Sequence, residues 1–365
     1  MGFARVLELR HGRPDHLRNG VQVEHVQNGR IDSAYWLNYR HESLLHFNDC
    51  PVSMPWLTEW MKRHPWPNVA LAAFSYASPY PVCYDIRGVD HRKVVAASVE
   101  RVLGQLTDIM ATLQPRYAVP FATRYGFLAP DQLWMNAFTP SPHEAVNALS
   151  VQGVVLNPGD RLSLRDGPMP CGPGFDWDRR EAAIGQLAET RAVEVREALD
   201  SEPQPSDQFF EPFRAYFEAL LSRNWLMRQR VGMPVAFVVG APQECWVVDC
   251  MRASARITCR PAEPMPIEIH LPASVLSAAV NGQIHWETLD LSNRLRVKVS
   301  SEDLLARAWE CWRMLFNFPS GILRDRMQWL TPRGLRVGWR RRRDLLRLVR
   351  ERPRMSSHRE PYRET

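Results

Sequence analysis

The stretch IDSAYWLNYRHESLLHFNDC, from Ile31 to Cys50, decides the fold. Ser33–Tyr39 and Ser43–Phe47 are rich in β-forming residues and flank the turn signal YRHE, so they predict two neighbouring strands. A third strand, Val21–Val26, precedes them, and the apolar segment Ala70–Phe74 predicts a further, buried strand. The stretch therefore predicts a meander that grows into a layered sheet.

Helices and further strands follow this meander. Asp90–Leu113 has apolar residues at helical spacing, which predicts an amphipathic helix. Beyond it we expect the strand Tyr117–Ala122, a short helix near His143–Leu149 and the strand Gly153–Asp160. The last segment ends in NPGD, which predicts a turn whose aspartate, Asp160, accepts a hydrogen bond. The fold class predicted for this part is α/β, with strands and helices in layers.

The second half of the chain predicts a smaller α+β unit. The Ser- and Pro-rich segment Ser201–Gln208 reads as a linker between the two parts. We expect helices at Trp177–Leu199, Phe209–Val231, Ala273–Asn281 and Ser301–Phe316. We expect strands at Val235–Gly240, Cys245–Cys250, Ala255–Cys259 and Ile267–Leu271. The predicted domains are residues 1–200, residues 209–325 and a basic, partly disordered tail at residues 331–365.

The charge of the chain is concentrated in its tail. The 365 residues carry a formal net charge of +6, and 45% of them are hydrophobic, which is enough to bury a core. Residues 331–365 hold 12 Arg against 4 acidic residues, so the rest of the chain is slightly acidic. Because the rest of the chain has no basic stripe, we do not expect nucleic-acid binding. The tail predicts either a frayed terminus or a short amphipathic helix that docks on a partner.

Several classes of protein lack support in the sequence. The seven cysteines are scattered without a C-x-x-C pair, so we expect reduced, mostly buried thiols rather than a disulfide framework or a zinc knot. No motif for phosphate, dinucleotide or serine-hydrolase chemistry occurs. No apolar run reaches the length of a transmembrane helix and no signal peptide is visible, so we expect a cytoplasmic protein.

Short segments in a fixed order resemble a known family. Ile31–Cys50 begins a hairpin with DS and ends a strand with NDC, and Leu71–Asp85 has a serine-containing turn before PVCYD. Tyr117–Asn136 contains PFA, Val154–Asp160 ends in PGD, and Ile267–Val297 continues the series. Together these segments resemble the second half of a metallo-β-lactamase domain, in the branch of CMP-N-acetylneuraminate hydroxylase and bacterial relatives of ascorbate-phosphate lactonase. The resemblance implies half of an αββα sandwich, followed by the smaller unit.

The resemblance implies a metal-binding role for Asp49. In the family, the carboxylate at this position is shared between two metal ions, and a hard oxygen donor suits iron or zinc. The alternative is that Asp49 caps the turn before Pro51. His25 is the nearest imidazole, and strand alternation can place it in the site or on the solvent face. The residues predicted to shape the rim of the site are Asn48, Ser75, Ser78 and Tyr84.

The chain departs from the family at the first metal motif, H-x-H-x-D-H. The nearest match, RHGRPDH at Arg10–His16, has Arg13 where the family needs an imidazole. We therefore interpret the match as coincidental, with His11 and His16 as ordinary surface residues. The missing half is expected on a partner polypeptide. The alternatives are a degenerate, metal-free homologue and an incomplete gene product.

These inferences predict a subunit of a split metalloenzyme that modifies a small polar metabolite. The metal site would be completed by the partner chain that carries H-x-H-x-D-H. The chemistry implied by the resemblance is iron-dependent oxygenation, fed by a separate iron–sulfur protein, or metal-dependent hydrolysis by an activated water. The alternative is a metal-free, non-catalytic binding or assembly subunit of a biosynthetic complex.

Overall fold

In a computed structural model, the described part of the chain comprises residues 9–17, 20–27, 33–48, 50, 52–64, 66–75, 78–121, 126–172, 175–202, 208–239, 244–251, 258–260, 265–317 and 339. Unit 1 holds the described residues of Met1–Ala77 and Val95–Val195, and unit 2 holds those of Ser78–Val94 and Arg196–Glu364. The predicted domain bounds differ from this division, because residues 78–94 group with unit 2. The predicted basic tail lies outside the described residues, apart from Trp339.

Strands and helices are interspersed up to residue 200. In chain order they are β1 (Pro14–His16), β2 (Gln22–Gln27), β3 (Ser33–Tyr39), β4 (Glu42–His46), α1 (Met54–Met61), β5 (Val69–Ala73), β6 (Tyr84–Ile86), α2 (His91–Leu113), β7 (Tyr117–Phe121), α3 (Pro142–Asn147), β8 (Arg161–Ser163), β9 (Gly167–Met169), α4 (Arg180–Thr190) and α5 (Ala192–Asp200). The mixed α/β class predicted from the sequence is confirmed. The predicted meander is confirmed as β2, β3 and β4.

Unit 1 is built on a six-stranded sheet, sheet A, with the order β1-β2-β3-β4-β5-β7. Neighbours from β1 to β4 are antiparallel, whereas β4, β5 and β7 run parallel. The change of direction follows from the connections, because a tight turn joins β3 to β4 whereas helix α1 lies between β4 and β5.

One face of sheet A, the first face, is covered by helices. Trp36, Leu45 and Ala70 are laterally paired on β3, β4 and β5, and each is at most 5% exposed. They pack in one cluster with Leu57 and Trp60 of α1 and with residues of α2. The apolar spacing that predicted α2 is therefore the stripe that it buries.

The second face of sheet A has a different cover. Leu44, Val69 and Tyr117 are paired across β4, β5 and β7 and point away from the helix-covered face. They pack with Val154 and with three partly buried leucines, Leu156, Leu162 and Leu164. In the described part of unit 1, this cluster contains no helical residue.

Residues 153–160, which pack on the second face of sheet A, do not form the strand predicted at Gly153–Asp160. They form one bridge, from Gly153 to Ala118, before the chain turns at NPGD into the β8–β9 hairpin. The predicted turn is confirmed, because Asp160 accepts hydrogen bonds from the backbone N–H of Asn157, at 2.8 Å, and of Cys171, at 2.7 Å. The bond from Cys171, followed by that from Asn157, holds the pKa of Asp160 below its ordinary value.

Unit 2 is built on a second six-stranded sheet, sheet B. Its remaining elements are α6 (Phe210–Arg223), α7 (Trp225–Val231), β10 (Pro234–Val239), β11 (Glu244–Asp249), β12 (Thr258–Arg260), β13 (Ile267–Leu271), α8 (Ala273–Val280), α9 (Trp286–Leu291), β14 (Arg296–Val299) and α10 (Leu305–Asn317). The strand order is β12-β11-β10-β13-β14-β6. Strand β6 lies far from its neighbour β14 in the sequence and pairs with it in parallel.

The core of unit 2 is an aromatic cluster against sheet B. Phe237 of β10 packs on Phe217 of α6, with ring centres 4.9 Å apart, and on Trp286 of α9, at 6.4 Å. Trp286 is fully buried, and its Nε1 donates a hydrogen bond of 2.6 Å to the Tyr216 hydroxyl. Burial raises the pKa of Tyr216 to about 12, against the opposing effect of this bond.

Two predicted helices are each broken in two. The predicted helix Trp177–Leu199 becomes a short 3-10 turn followed by α4 and α5, which meet at Arg191. The predicted helix Phe209–Val231 is divided at Asn224, whose backbone leaves the helical region. The buried Asn224 side chain donates to the Leu220 carbonyl, which helps to end α6 at that point.

The burial of the described cysteines agrees with the prediction of mostly buried thiols. Cys50, Cys83, Cys245, Cys250 and Cys311 are buried, and Cys171 is exposed. Among the described helices, we find none with the length and apolar character needed to cross a membrane.

Candidate functional site

Three parallel strands of sheet A end at the same edge of unit 1. Because β4, β5 and β7 run in parallel, their carboxyl ends meet there, and such edges are where open α/β sheets bind ligands. Asn48 follows β4, and Ser75 follows β5. Two of the residues predicted to shape the site are therefore brought to this carboxyl edge.

A row of ring side chains crosses sheet A close to the carboxyl edge. His25 of β2 pairs with Tyr35 of β3, which pairs with His46 of β4, so the three side chains project from the second face. His11 is bridged to His25, and their ring centres are 6.4 Å apart. We call His11, His25, Tyr35 and His46 the imidazole row.

His25 has the features of a ligand-binding imidazole. It is half-buried, and its ring centre lies 5.9 Å from that of Tyr35. Its Nδ1 is buried and has no hydrogen-bond partner among the described residues. A buried polar atom without a partner is costly, and a neutral imidazole nitrogen is a common metal ligand. The position of His25 is therefore compatible with the role suggested for it.

His46 is suited to donating a hydrogen bond. Its Nδ1 accepts a hydrogen bond of 3.0 Å from the backbone N–H of Asn48, which turns the chain in the left-handed region with φ of 54°. A neutral imidazole that accepts at Nδ1 carries its proton on Nε2, so that nitrogen donates rather than binding a metal. The ring is held edge-on against Phe121 at the end of β7, with centres 4.6 Å apart.

The donors at this edge fit only part of a metal site. Asp49 lies outside the described residues, so its predicted ligand role stays a prediction. Within the described ranges no group of three or more His, Cys, Asp or Glu side chains is arranged to hold a metal ion. Because catalytic zinc sites take three protein ligands, the pair His11 and His25 fits the chemistry of such a site but needs further donors.

The other two predicted rim residues lie in unit 2. Ser78 accepts a hydrogen bond of 3.2 Å from the backbone N–H of Tyr80 through its hydroxyl oxygen. Tyr84 belongs to β6, is 4% exposed, and packs edge-on against Tyr80 with ring centres 5.2 Å apart. The structure therefore groups these two residues with sheet B rather than with Asn48 and Ser75.

Sequence reasoning did not identify His11 and His46 as members of the imidazole row. His11 is exposed, as predicted for a surface residue, but its bridge to His25 places it in the imidazole row. Leu44 and His46 alternate with the buried Leu45, so His46 lies on the second face. This alternation was the feature of the sequence from which the position of His46 could have been predicted. Its proximity to His25 depends on strand register, which neither residue reveals alone.

Comparisons with known proteins gave distant structural neighbours. No family model matches the chain, and no curated protein matches it. Sterol carrier protein 2 from Yarrowia lipolytica is 14% identical, with a TM-score of 0.22, over 30% of this chain and 90% of its own. The sterol carrier protein domain 2 of Helicoverpa armigera is 11% identical, with a TM-score of 0.25, over 32% of this chain and 95% of its own.

A third neighbour belongs to the fold predicted for unit 1. The metallo-β-lactamase fold protein YhfI from Bacillus subtilis is 7% identical, with a TM-score of 0.24. The match covers 41% of this chain and 52% of YhfI, so the chain spans about half the length of that protein. At such scores these likenesses establish neither a family nor a function for this chain.

Proposed function

We propose that this chain is a subunit of a metal-dependent enzyme that acts on a small molecule. The carboxyl edge of sheet A would form one wall of the active site, with His25 and His11 as imidazole ligands. A partner chain would supply the remaining donors. The observation that carries the proposal is the buried, unpartnered Nδ1 of His25 beside a second imidazole, within the described residues.

The residues of this chain would have separate roles at the site, in metal binding and in hydrogen bonding to the substrate. His25 and His11 would hold the metal, and Asp49 would add a carboxylate, as the sequence predicts. His46 would donate a hydrogen bond from its Nε2 to a substrate oxygen. The backbone N–H of Asn48, which donates to Nδ1 of His46, would hold His46 in the tautomer that allows this. A bound metal would supply either an activated water for hydrolysis or an iron centre for oxygenation, the latter with an external iron–sulfur donor.

The proposal predicts weak zinc binding by the isolated chain. Because two imidazoles make an incomplete site, we expect a dissociation constant of about 10 to 100 μM at about pH 7.5. Isothermal titration of the full chain with Zn²⁺ measures this value.

Three variants decide which residues bind the metal. His25→Gln should abolish zinc binding, and Asp49→Ala should weaken it. His143→Gln replaces an exposed histidine of α3 and serves as the matched control, with unchanged binding expected. Equal zinc affinity in wild type and His25→Gln would remove the basis of the proposal. Unchanged binding in Asp49→Ala would remove only the ligand role of that residue.

A metal-free binding subunit is the second candidate. It is favoured by the second face of sheet A, where Val69 and Val119 are covered by partly buried leucines rather than by a helix. A wild-type chain that binds no zinc but remains folded and binds an apolar ligand on this face would support the second candidate.

A further inference from the structure

A cavity of about 310 Å³ lies on the second face of sheet A. The sheet contributes one wall, with Leu37, Leu44 and Leu71 among its lining residues. The opposite wall is Leu156, Leu162 and Leu164, from the segment that turns into the β8–β9 hairpin. Both walls are thus supplied by unit 1 itself, so the cavity is formed before any ligand arrives.

One buried polar residue of the wall, Ser43, is already paired. Ser43, which is 7% exposed, donates its backbone N–H to Asn68 Oδ1 at 2.7 Å, and Asn68 donates its backbone N–H to the Ser43 hydroxyl at 3.3 Å. A buried water needs two to four polar partners, and a cavity of about 150 Å³ lined by aliphatic and aromatic side chains stays dry and binds benzene. The present cavity is partly open to solvent, but its mainly apolar lining favours contact with hydrocarbon over contact with water.

The lining favours an apolar group with one polar end. It is aliphatic except at and beside the β3–β4 hairpin, where Asn38, Tyr39, Glu42 and Ser43 lie, and of these Tyr39 is 37% exposed and Glu42 is exposed. Because this is the solvent-facing end, it forms the polar mouth. At about 30 Å³ for each water-sized group, the cavity has room for about ten methylene-sized groups.

We propose that unit 1 binds the medium-length alkyl chain of a small amphiphile in this cavity. The chain lies between sheet A and Leu156, Leu162 and Leu164, and an uncharged polar head lies at Tyr39 and Glu42. A neutral head is favoured because the Glu42 carboxylate repels an anionic one. This inference does not depend on a metal site, and it adds an apolar ligand class to the small-molecule function proposed above.

Calorimetric titration with decanol tests the proposal on the full chain, with EDTA present to exclude metal. We expect saturable binding of one decanol with a negative heat-capacity change, which marks burial of apolar surface. Decanoate should bind at least tenfold more weakly, because of the Glu42 carboxylate. Absence of decanol binding, or binding of decanoate as tight as that of decanol, would overturn the proposal.

Variants locate the binding in the cavity. Leu162→Trp fills the cavity and should weaken decanol binding at least tenfold, whereas Leu187→Trp, at a leucine 46% exposed on α4, should leave it unchanged. If Leu162→Trp does not fold, Leu71→Ala enlarges the same cavity and should shift the preference from decanol to dodecanol. A folded Leu162→Trp, or a Leu71→Ala, that binds like wild type would place the ligand elsewhere. Because zinc is absent, these results are separate from the outcome at His25.

Discussion

Replacing Asp290 with asparagine is expected to raise the free energy of unfolding by about 4 kcal/mol at about pH 8 and to change it little at about pH 4. Asp290 of α9 is 6% exposed, and its Oδ1 is buried without a hydrogen-bond partner among the described residues. Burial, followed by the nearby charge of Glu287, raises the pKa of Asp290 from 3.8 to about 7. The folded chain therefore keeps a proton that the unfolded chain releases.

The pH range of this effect follows from the two pKa values. Below about pH 4 the carboxyl group is protonated in both states and makes no difference to stability. Between about pH 4 and about pH 7 the unfolded chain ionises and the folded chain does not, so stability falls as the pH rises. Above about pH 7 both states are ionised, and the loss stays constant. Asparagine removes this loss because it resembles the protonated carboxyl group and never ionises.

Urea unfolding followed by circular dichroism at about pH 4 and about pH 8 measures the Asp290→Asn effect. Asp303→Asn provides the control, because Asp303 is exposed and should change stability by no more than about 0.5 kcal/mol at either pH. A gain of equal size at both pH values, or a loss at about pH 8, would show that Asp290 is not held protonated by burial.

Truncation of Trp286 should cost about 3 to 5 kcal/mol of stability, because it removes a fully buried indole from the aromatic core of unit 2. Its ring lies 6.4 Å from Phe237 and 6.3 Å from Trp312, so Trp286→Ala leaves a cavity between α9, α10 and sheet B. Trp286→Phe keeps a ring but loses the donor to the Tyr216 hydroxyl, and we expect it to cost about 1 to 2 kcal/mol.

The matched control for Trp286→Ala is Trp66→Ala. Trp66 is 59% exposed, so its removal should change stability by no more than about 0.5 kcal/mol. Chemical unfolding of the three variants gives the comparison. If Trp286→Ala unfolds no more easily than Trp66→Ala, the aromatic cluster does not stabilise unit 2 as its burial indicates.

The sequence predicted correctly those helices and strands that are marked by a residue pattern within a single continuous stretch of the chain. The apolar spacing of Asp90–Leu113 predicted α2 to within one residue, and alternation predicted β3 with its observed bounds. The strand predicted at Gly153–Asp160 was wrong, because apolar Val154 and Leu156 pack onto sheet A without continuing its ladder of hydrogen bonds. An apolar run shows that a segment is buried, but not how its backbone is paired.

The candidate site was predictable only in part. Asn48 and Ser75 follow strands that could be recognised, so their place at a strand end was visible in the sequence. The imidazole row depends on the register of β2, β3 and β4, which no single segment contains. Tyr84 was predicted at the rim with Asn48 because its segment, PVCYD, resembles the family, whereas its strand pairs with Val297, more than two hundred residues away.

Strand β6 has a consequence for how this protein can be divided. Its residues interrupt unit 1 along the chain but pair with Val297 and Val299 in sheet B. A gene cut once near residue 200 would strip sheet B of this strand and leave β14 with open backbone groups that invite aggregation. Recombination that moves unit 2 intact must therefore also carry residues 78–94, which lie between the two segments of unit 1 in the sequence.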